Sequence, residues 1–149
     1  MASRTGSYTG ARVISIILMV VGAVMIVGGV TTYAMVSSTL AKEKIVVSED
    51  ACLGGRDVAG PLPAYCEAMV ISTHSMEATG GKTYAQLDRE DPLRQVAMNG
   101  SFLRASLFTS VVAFGVSLLV AGLGILFILV GAALLNVAGH REKAPPATA

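Results

Sequence analysis

The sequence is poor in the residues that carry most protein chemistry. It has no tryptophan, two histidines, two cysteines and only 14% charged residues, whereas 53% of its 149 residues are hydrophobic. This length allows one domain, and a soluble core of that size does not need so large an apolar share. The charge is also unevenly placed, because no charged residue or histidine lies between Arg12 and Lys42 or between Arg104 and His140. Two gaps of this kind indicate a membrane protein.

Each gap is long enough for a helix that crosses a bilayer. Residues 13–36 predict a first transmembrane helix about 36 Å long, against about 30 Å of hydrocarbon. The alternative is a cleaved signal peptide, but the apolar run exceeds the roughly 7–15 residues of such a segment. The second gap corresponds to about 52 Å of helix and overshoots the bilayer, and we place the second transmembrane helix at residues 107–135.

These spans predict the fold class and the domain organisation. The expected fold is an all-α membrane protein, a two-helix transmembrane hairpin with a mostly helical extracytoplasmic loop. Its segments are a cytoplasmic tail at residues 1–12, a helix at 13–36, a loop with short helices at 37–106, a helix at 107–135 and a disordered cytoplasmic tail at 136–149.

The distribution of basic residues favours a cytoplasmic location for both termini. Lys and Arg are enriched in cytoplasmic segments close to transmembrane helices. The two tails carry four of them, Arg4, Arg12, Arg141 and Lys143. On the loop side, Lys42, Lys44 and Arg104 also lie close to the spans, and they weaken the asymmetry.

Both cysteines, Cys52 and Cys66, fall in the loop. That placement is expected if the loop faces an oxidising compartment. A bridge between them closes a loop of about 15 residues and stabilises the fold by about 3 kcal/mol in the chain-entropy model. The alternative is a pair of free thiols that pack as small apolar side chains. The turn-rich stretch between the cysteines favours the disulfide.

Capping signals predict where helices begin in the loop. Pro63 stands at the first turn of a helix expected over residues 64–79. The sequence Thr-Tyr-Ala-Gln from Thr83 matches the spacing of a capping box. Asp91, followed by proline, predicts a third helix start, which leads towards the second span. Asn99 and Gly100 predict a kink or turn on that path.

Small residues recur every seven positions in both spans. They are Ser15, Gly22 and Gly29 in the first span and Ser110, Ser117, Gly124 and Gly131 in the second. Small residues in a stripe let helix backbones approach closely inside a membrane, where lipid removes the hydrophobic drive between helices. We therefore expect the two stripes to face each other in an antiparallel pair. The alternative is chance, since small residues are abundant in both spans.

Candidates for catalysis or metal binding are few. The predicted topology places His74 and His140 on opposite sides of the membrane, so that they cannot share a metal. Near His74 in the sequence are Cys66, Glu67 and Glu77. These residues lack the spacing of a zinc site, and we expect Glu67 and His74 to face water. Residues 80–83 end like a phosphate-binding loop, but a methionine occupies the position of its first glycine. The sequence predicts no catalytic residue, no metal, no cofactor and no nucleic-acid partner.

Three stretches carry a resemblance to a known family: KIVVSEDACLGGRDVAGPLPAY, ISTHSMEATGGKTYAQLDRED and MNGSFLRASLFTSVVAFGVSLLVAGLG. The chain resembles a group of small two-span membrane proteins from high-GC Gram-positive bacteria, many of which carry the label "aromatic ring-opening dioxygenase, LigA-like". The resemblance covers residues 12–135 and implies a bacterial plasma membrane but no reaction. Ring cleavage by non-haem iron typically uses two histidines and a carboxylate on one metal. The predicted topology does not allow that set.

Two functions are consistent with these features. The leading expectation is a structural or accessory membrane subunit, which is not an enzyme and which contacts the lipid bilayer and either a membrane protein partner or further copies of itself. The alternative is a sensor or ligand-binding module that uses the extracytoplasmic loop.

Overall fold

The computed structural model describes the backbone of residues 5–142 and the side chains of residues 10–139. Within this range the chain forms three α-helices, α1 (Thr5–Lys42), α2 (Pro61–Ala78) and α3 (Leu93–Glu142), and a 3-10 turn at Tyr84–Gln86. The described residues contain no β-strand, only an isolated antiparallel bridge between Val46 and Asp57. The all-helical class predicted from the sequence is confirmed.

Helices α1 and α3 are long and apolar. The ranges Gly10–Lys42 and Leu93–Gly139 each reach a mean hydropathy of 2.8 and have the length and composition needed to cross a membrane. At about 1.5 Å per residue, α1 is about 57 Å long and α3 about 75 Å. Both extend well beyond the predicted spans, so that the ends of these helices form part of the predicted loop at residues 37–106.

Two sequence-based expectations about α3 are wrong. The tail was expected to be disordered from residue 136, but α3 continues to Glu142, and residues 143–149 lie outside the described part of the chain. Ala138 is buried, which gives this last stretch of helix a packing surface. Asn99 and Gly100 were expected to form a kink or turn, but α3 passes through them without a break. Gly100 lies instead where Ser75 of α2 approaches α3 closely.

The helical segments of unit 2 begin near the positions that the capping signals predicted. Helix α2 begins at Pro61, slightly before the predicted position. It ends where Gly80 and Gly81 adopt φ angles of 63° and 80°, which favour glycine. A capping box at Thr83 precedes the 3-10 turn. At the start of α3, the backbone N–H of Leu93 donates to Oδ1 of Asp91 over 2.9 Å.

The chain divides into two compact units. Unit 1 comprises Met1–Thr31 and Ser117–Ala149, and unit 2 comprises Thr32–Val116. Among the described side chains of unit 1, every buried residue is glycine, alanine or serine, while the large aliphatic residues are exposed or half-buried. Unit 1 therefore has no core of large apolar side chains in its described part.

Unit 2 contains the hydrophobic core. Its buried members are Leu40, Val47, Val58, Ala64, Cys66, Ala68, Leu107 and Phe114. The ring of Phe114 is completely buried, and its centroid lies 4.8 Å from that of Tyr33. Tyr65 and Phe108 form a second pair, with centroids 6.0 Å apart. Aromatic pairs at these distances add to the stabilisation from burial, and they fix α1 and α2 to the first half of α3 within unit 2.

Candidate functional site

In unit 1, the backbones of α1 and α3 approach each other closely at Gly22 and Gly124. A Cβ atom built on Gly22 would lie 2.5 Å from the carbonyl oxygen of Gly124, and one built on Gly124 would lie 2.6 Å from the carbonyl oxygen of Gly22. Real Cβ atoms essentially never come within 3.0 Å of such an atom. These two positions therefore require glycine for the observed helix separation.

The other stripe positions in unit 1 pair in the same way. A Cβ atom on Gly29 would lie 2.6 Å from the carbonyl oxygen of Ser117, and one on Gly131 would lie 2.8 Å from that of Ser15. The contact residue on α3 thus lies seven positions earlier in the sequence for each advance of seven residues along α1. Ser15 and Ser117 are both buried. We call this contact, formed by the three pairs, the glycine seam.

Ser110 does not belong to the glycine seam, unlike the other stripe residues. It belongs to unit 2 and is half-buried, and its Oγ donates a hydrogen bond to the carbonyl oxygen of Ser106 over 3.2 Å. The buried large residue near it is Phe114. The stripe of small residues in α3 therefore reaches the glycine seam only from Ser117 onwards.

Other glycines in the same helices have no such constraint. A Cβ atom on Gly28 or Gly122 would have no heavy atom within 4 Å outside the local helix backbone, although both residues are close in sequence to members of the seam. The close approach is therefore specific to positions spaced by seven and is not a general property of glycine in these helices.

In unit 2, Cys52 and Cys66 lie at disulfide distance, with Cα atoms 5.5 Å apart and a sequence separation of 14. Cys66 is buried on α2. Next to it, Glu67 is 7% exposed and accepts two hydrogen bonds from Ser48, from the backbone N–H at 2.8 Å and from Oγ at 3.2 Å. The segment around Ser48 is thus attached to α2 at neighbouring points, and the expectation that Glu67 faces water is wrong.

A short antiparallel contact shapes the same segment. The backbone N–H of Val47 donates to the carbonyl oxygen of Arg56 over 2.8 Å, and that of Val58 donates to Ile45 over 2.9 Å. Val47 and Val58 are almost completely buried against the core. Glu67 can therefore be understood as the acceptor that satisfies a backbone donor which this contact leaves free.

The remaining candidates for metal or catalytic chemistry do not converge. Nε2 of His74 lies 2.7 Å from Oδ2 of Asp50, and both side chains are about half exposed, as was expected for His74. Within the described residues, no group of three or more His, Cys, Asp or Glu side chains is placed to hold a metal ion. The side chain of His140 lies outside the described part of the chain.

Two clefts of unit 2 lie between α2 and α3. One has a volume of about 110 Å³ and is lined by two basic residues, Lys82 and Arg104, and by several hydroxyl groups. A larger cleft of about 310 Å³ is lined by Glu67, His74 and neighbouring residues. Gly100 lines both clefts. From the sequence, Gly100 was expected to form part of a kink or turn, whereas the structure places it at a close contact with Ser75 of α2.

No family model matches this chain, and neither the curated proteins nor the solved structures include a match to it.

Proposed function

We propose that the protein is a two-span integral protein of the bacterial plasma membrane, in which unit 1 forms the transmembrane hairpin. The observation that carries this proposal is the inverted character of unit 1, with small residues inside and large aliphatic residues outside. Val24 and Val27, for example, are each 67% exposed. In water, exposed apolar area costs about 25 cal/mol per Å², whereas lipid tails solvate it without that cost.

The length of unit 1 supports the same proposal. Its described parts, residues 10–31 of α1 and 117–139 of α3, each correspond to about 33–35 Å of helix. That length is close to the roughly 30 Å hydrocarbon thickness of a bilayer. The ends of both helices that belong to unit 2 then lie at or beyond the membrane surface.

The proposed orientation has both termini in the cytoplasm and unit 2 outside. The basic residues of the tails support it, although their side chains, apart from that of Arg12, lie outside the described range. The proximity of Cys52 and Cys66 supports it independently, because a disulfide persists in an oxidising compartment.

Thiol labelling in whole cells tests this orientation. A membrane-impermeant maleimide is expected to label Cys52 and Cys66 only after reduction. The matched control is a Cys52→Ser/Cys66→Ser chain that carries Ser3→Cys, which is expected to react only after lysis. Labelling of the wild-type loop only after lysis contradicts the orientation, and labelling without reductant contradicts the disulfide.

We further propose that the protein is a structural or accessory subunit and not an enzyme. A hairpin of two helices leaves most of each helix surface in contact with its surroundings, so that a membrane protein partner or a second copy has room to pack against it. The polar groups of unit 2 support a structural role, because Glu67 accepts a hydrogen bond from Ser48 and His74 pairs with Asp50 at the surface.

Purification from native membranes in mild detergent, followed by mass spectrometry, tests the accessory role. The expected result is a partner, or a defined number of copies of the chain, at fixed stoichiometry. A chain that purifies as a monomer without a stoichiometric partner contradicts it. That outcome favours the second candidate, a sensor or ligand-binding module, which the clefts of unit 2 support.

A further inference from the structure

We propose that the smaller cleft of unit 2 binds a small oxyanion, such as a phosphate group. The lining of this cleft includes two cationic side chains and five residues with hydroxyl groups, and we call it the basic cleft: Lys82, Arg104, Ser72, Ser75, Thr83, Tyr84 and Ser101. The inference goes beyond the accessory role and does not depend on it, because the cleft is built within unit 2.

The charge of the basic cleft is not neutralised by the protein. None of the residues that line it is acidic. Within the described part of the chain, neither Lys82 nor Arg104 forms an ion pair with a carboxylate. The guanidinium of Arg104 instead lies 5.3 Å from the ring centroid of Phe108. Two uncompensated cations at one cleft favour an anionic ligand.

A third cation lies beside the cleft. The guanidinium of Arg94 is stacked 4.0 Å from the ring centroid of Tyr84, which lines the cleft. Arg94 also donates a hydrogen bond to the carbonyl oxygen of Leu87 over 2.6 Å, which fixes its position. Arg94 therefore adds positive potential at the cleft without occupying it.

The hydroxyl groups supply donors of the kind that oxyanions need. Ser72 and Ser75 are presented by α2 and Ser101 by α3, so that the donors converge from both walls. No hydrogen bond engages the hydroxyls of these three serines within the described residues. Hydroxyl and cationic donors together bind phosphate oxygens through short, charge-assisted hydrogen bonds.

The backbone that carries Lys82 is fixed before any ligand binds. Oγ1 of Thr79, which is buried, donates to the carbonyl oxygen of Lys82 over 2.6 Å. On the other side, the backbone N–H of Thr83 donates to Oε1 of Gln86 over 2.9 Å. The turn follows helix α2 and differs in this respect from a phosphate-binding loop that follows a strand.

The size of the basic cleft limits the ligand to a small group. Its volume is about 110 Å³, whereas a water molecule needs about 10–15 Å³ on this scale and pockets for drug-sized ligands measure about 300–1,000 Å³. A phosphate group fits this range and a nucleotide exceeds it. The phosphate can belong to a free ion or to the headgroup of an anionic lipid, since Arg104 directly precedes the charge-free stretch of α3.

Titration of the purified full-length chain with inorganic phosphate, by isothermal calorimetry in a neutral detergent, tests the free-ion source. Reconstitution into nanodiscs of phosphatidylcholine with phosphatidylglycerol, followed by native mass spectrometry of the lipid that stays bound to the chain, tests the lipid source. The variants are Lys82→Gln and Arg104→Gln, and the matched control is Arg89→Gln, which removes the same charge from a residue that does not line the cleft.

Each cleft variant is expected to weaken binding about tenfold, the loss of one charge-assisted contact, while the control stays within about twofold of the wild type. Ser101→Val, which fills the cleft without changing charge, is expected to weaken binding as well, and circular dichroism checks that each variant is folded. Phosphate binding with this pattern indicates a free oxyanion, and retention of phosphatidylglycerol with this pattern, without phosphate binding, indicates a headgroup. Absence of both, or an equal loss in Arg89→Gln, overturns the proposal.

Discussion

Replacing Gly22 by alanine adds one methyl group at a position where the two backbones of the glycine seam are in close contact. The added Cβ atom would lie 2.5 Å from the carbonyl oxygen of Gly124, and real Cβ atoms essentially never come within 3.0 Å of a neighbour, so that the two backbones have to move apart at this point. Overpacking of this kind costs about 1–3 kcal/mol. Because the obstacle is backbone, a change of side-chain rotamer does not relieve it.

Gly28→Ala is the matched control, since its Cβ atom would have no neighbour within 4 Å. Alanine is a better helix former than glycine by up to about 1 kcal/mol, so that this variant is expected to be as stable as the wild type or more stable. Two identical substitutions in one helix are thus expected to act in opposite directions.

Thermal unfolding in a mild detergent, followed by circular dichroism and by energy transfer between labels at the two helix ends, measures the difference. Gly22→Ala is expected to lower the midpoint, and Gly28→Ala to leave or raise it. Equal midpoints for the two variants would show that the helices do not pack along the glycine seam in the membrane protein.

Three further predictions concern unit 2. Cys52→Ser is expected to lower the free energy of unfolding by about 3 kcal/mol in oxidising buffer and to have no effect in reductant, and a loss that persists in reductant would contradict the disulfide. Glu67→Gln is expected to lower the free energy of unfolding by about 1.5–3 kcal/mol through the weakened bonds to the Ser48 segment. The control Glu77→Gln, on the exposed side of α2, is expected to change it by no more than about 0.5 kcal/mol. Chemical denaturation measures both variants, and equal effects would refute the role of Glu67. Phe114→Ala is expected to cost about 3–5 kcal/mol, and Phe102→Ala, at a ring that is 75% exposed, much less; similar losses would contradict the burial of Phe114.

Sequence periodicity identified the small residues of the glycine seam because their signal is local to each helix. The spacing of Gly22 and Gly29 is visible in the sequence, and so is that of Gly124 and Gly131. The sequence could not show which other glycines have room for a larger side chain, because the available space depends on the position of the partner helix. Gly28 differs from Gly29 only in which face of α1 it occupies.

The helix ends were harder to predict because they were placed from the thickness of a bilayer. Bilayer thickness limits how much of a helix is solvated by lipid, but it does not end the helix, and α3 continues to Glu142. The burial of Glu67 was missed for a different reason. Its partner, Ser48, lies on a segment 19 residues away, and no local pattern predicts that contact.

The spacing of the glycine seam also determines a handedness. A straight α-helix has about 3.6 residues per turn, so that positions spaced by seven drift by about 20° per repeat. The seam continues through Ser15, Gly22 and Gly29, and to stay in contact over that length the two helices have to coil around each other in a left-handed sense. A third helix that lies along this pair has to follow the same coil, and its contact residues are therefore expected to recur every seven positions as well.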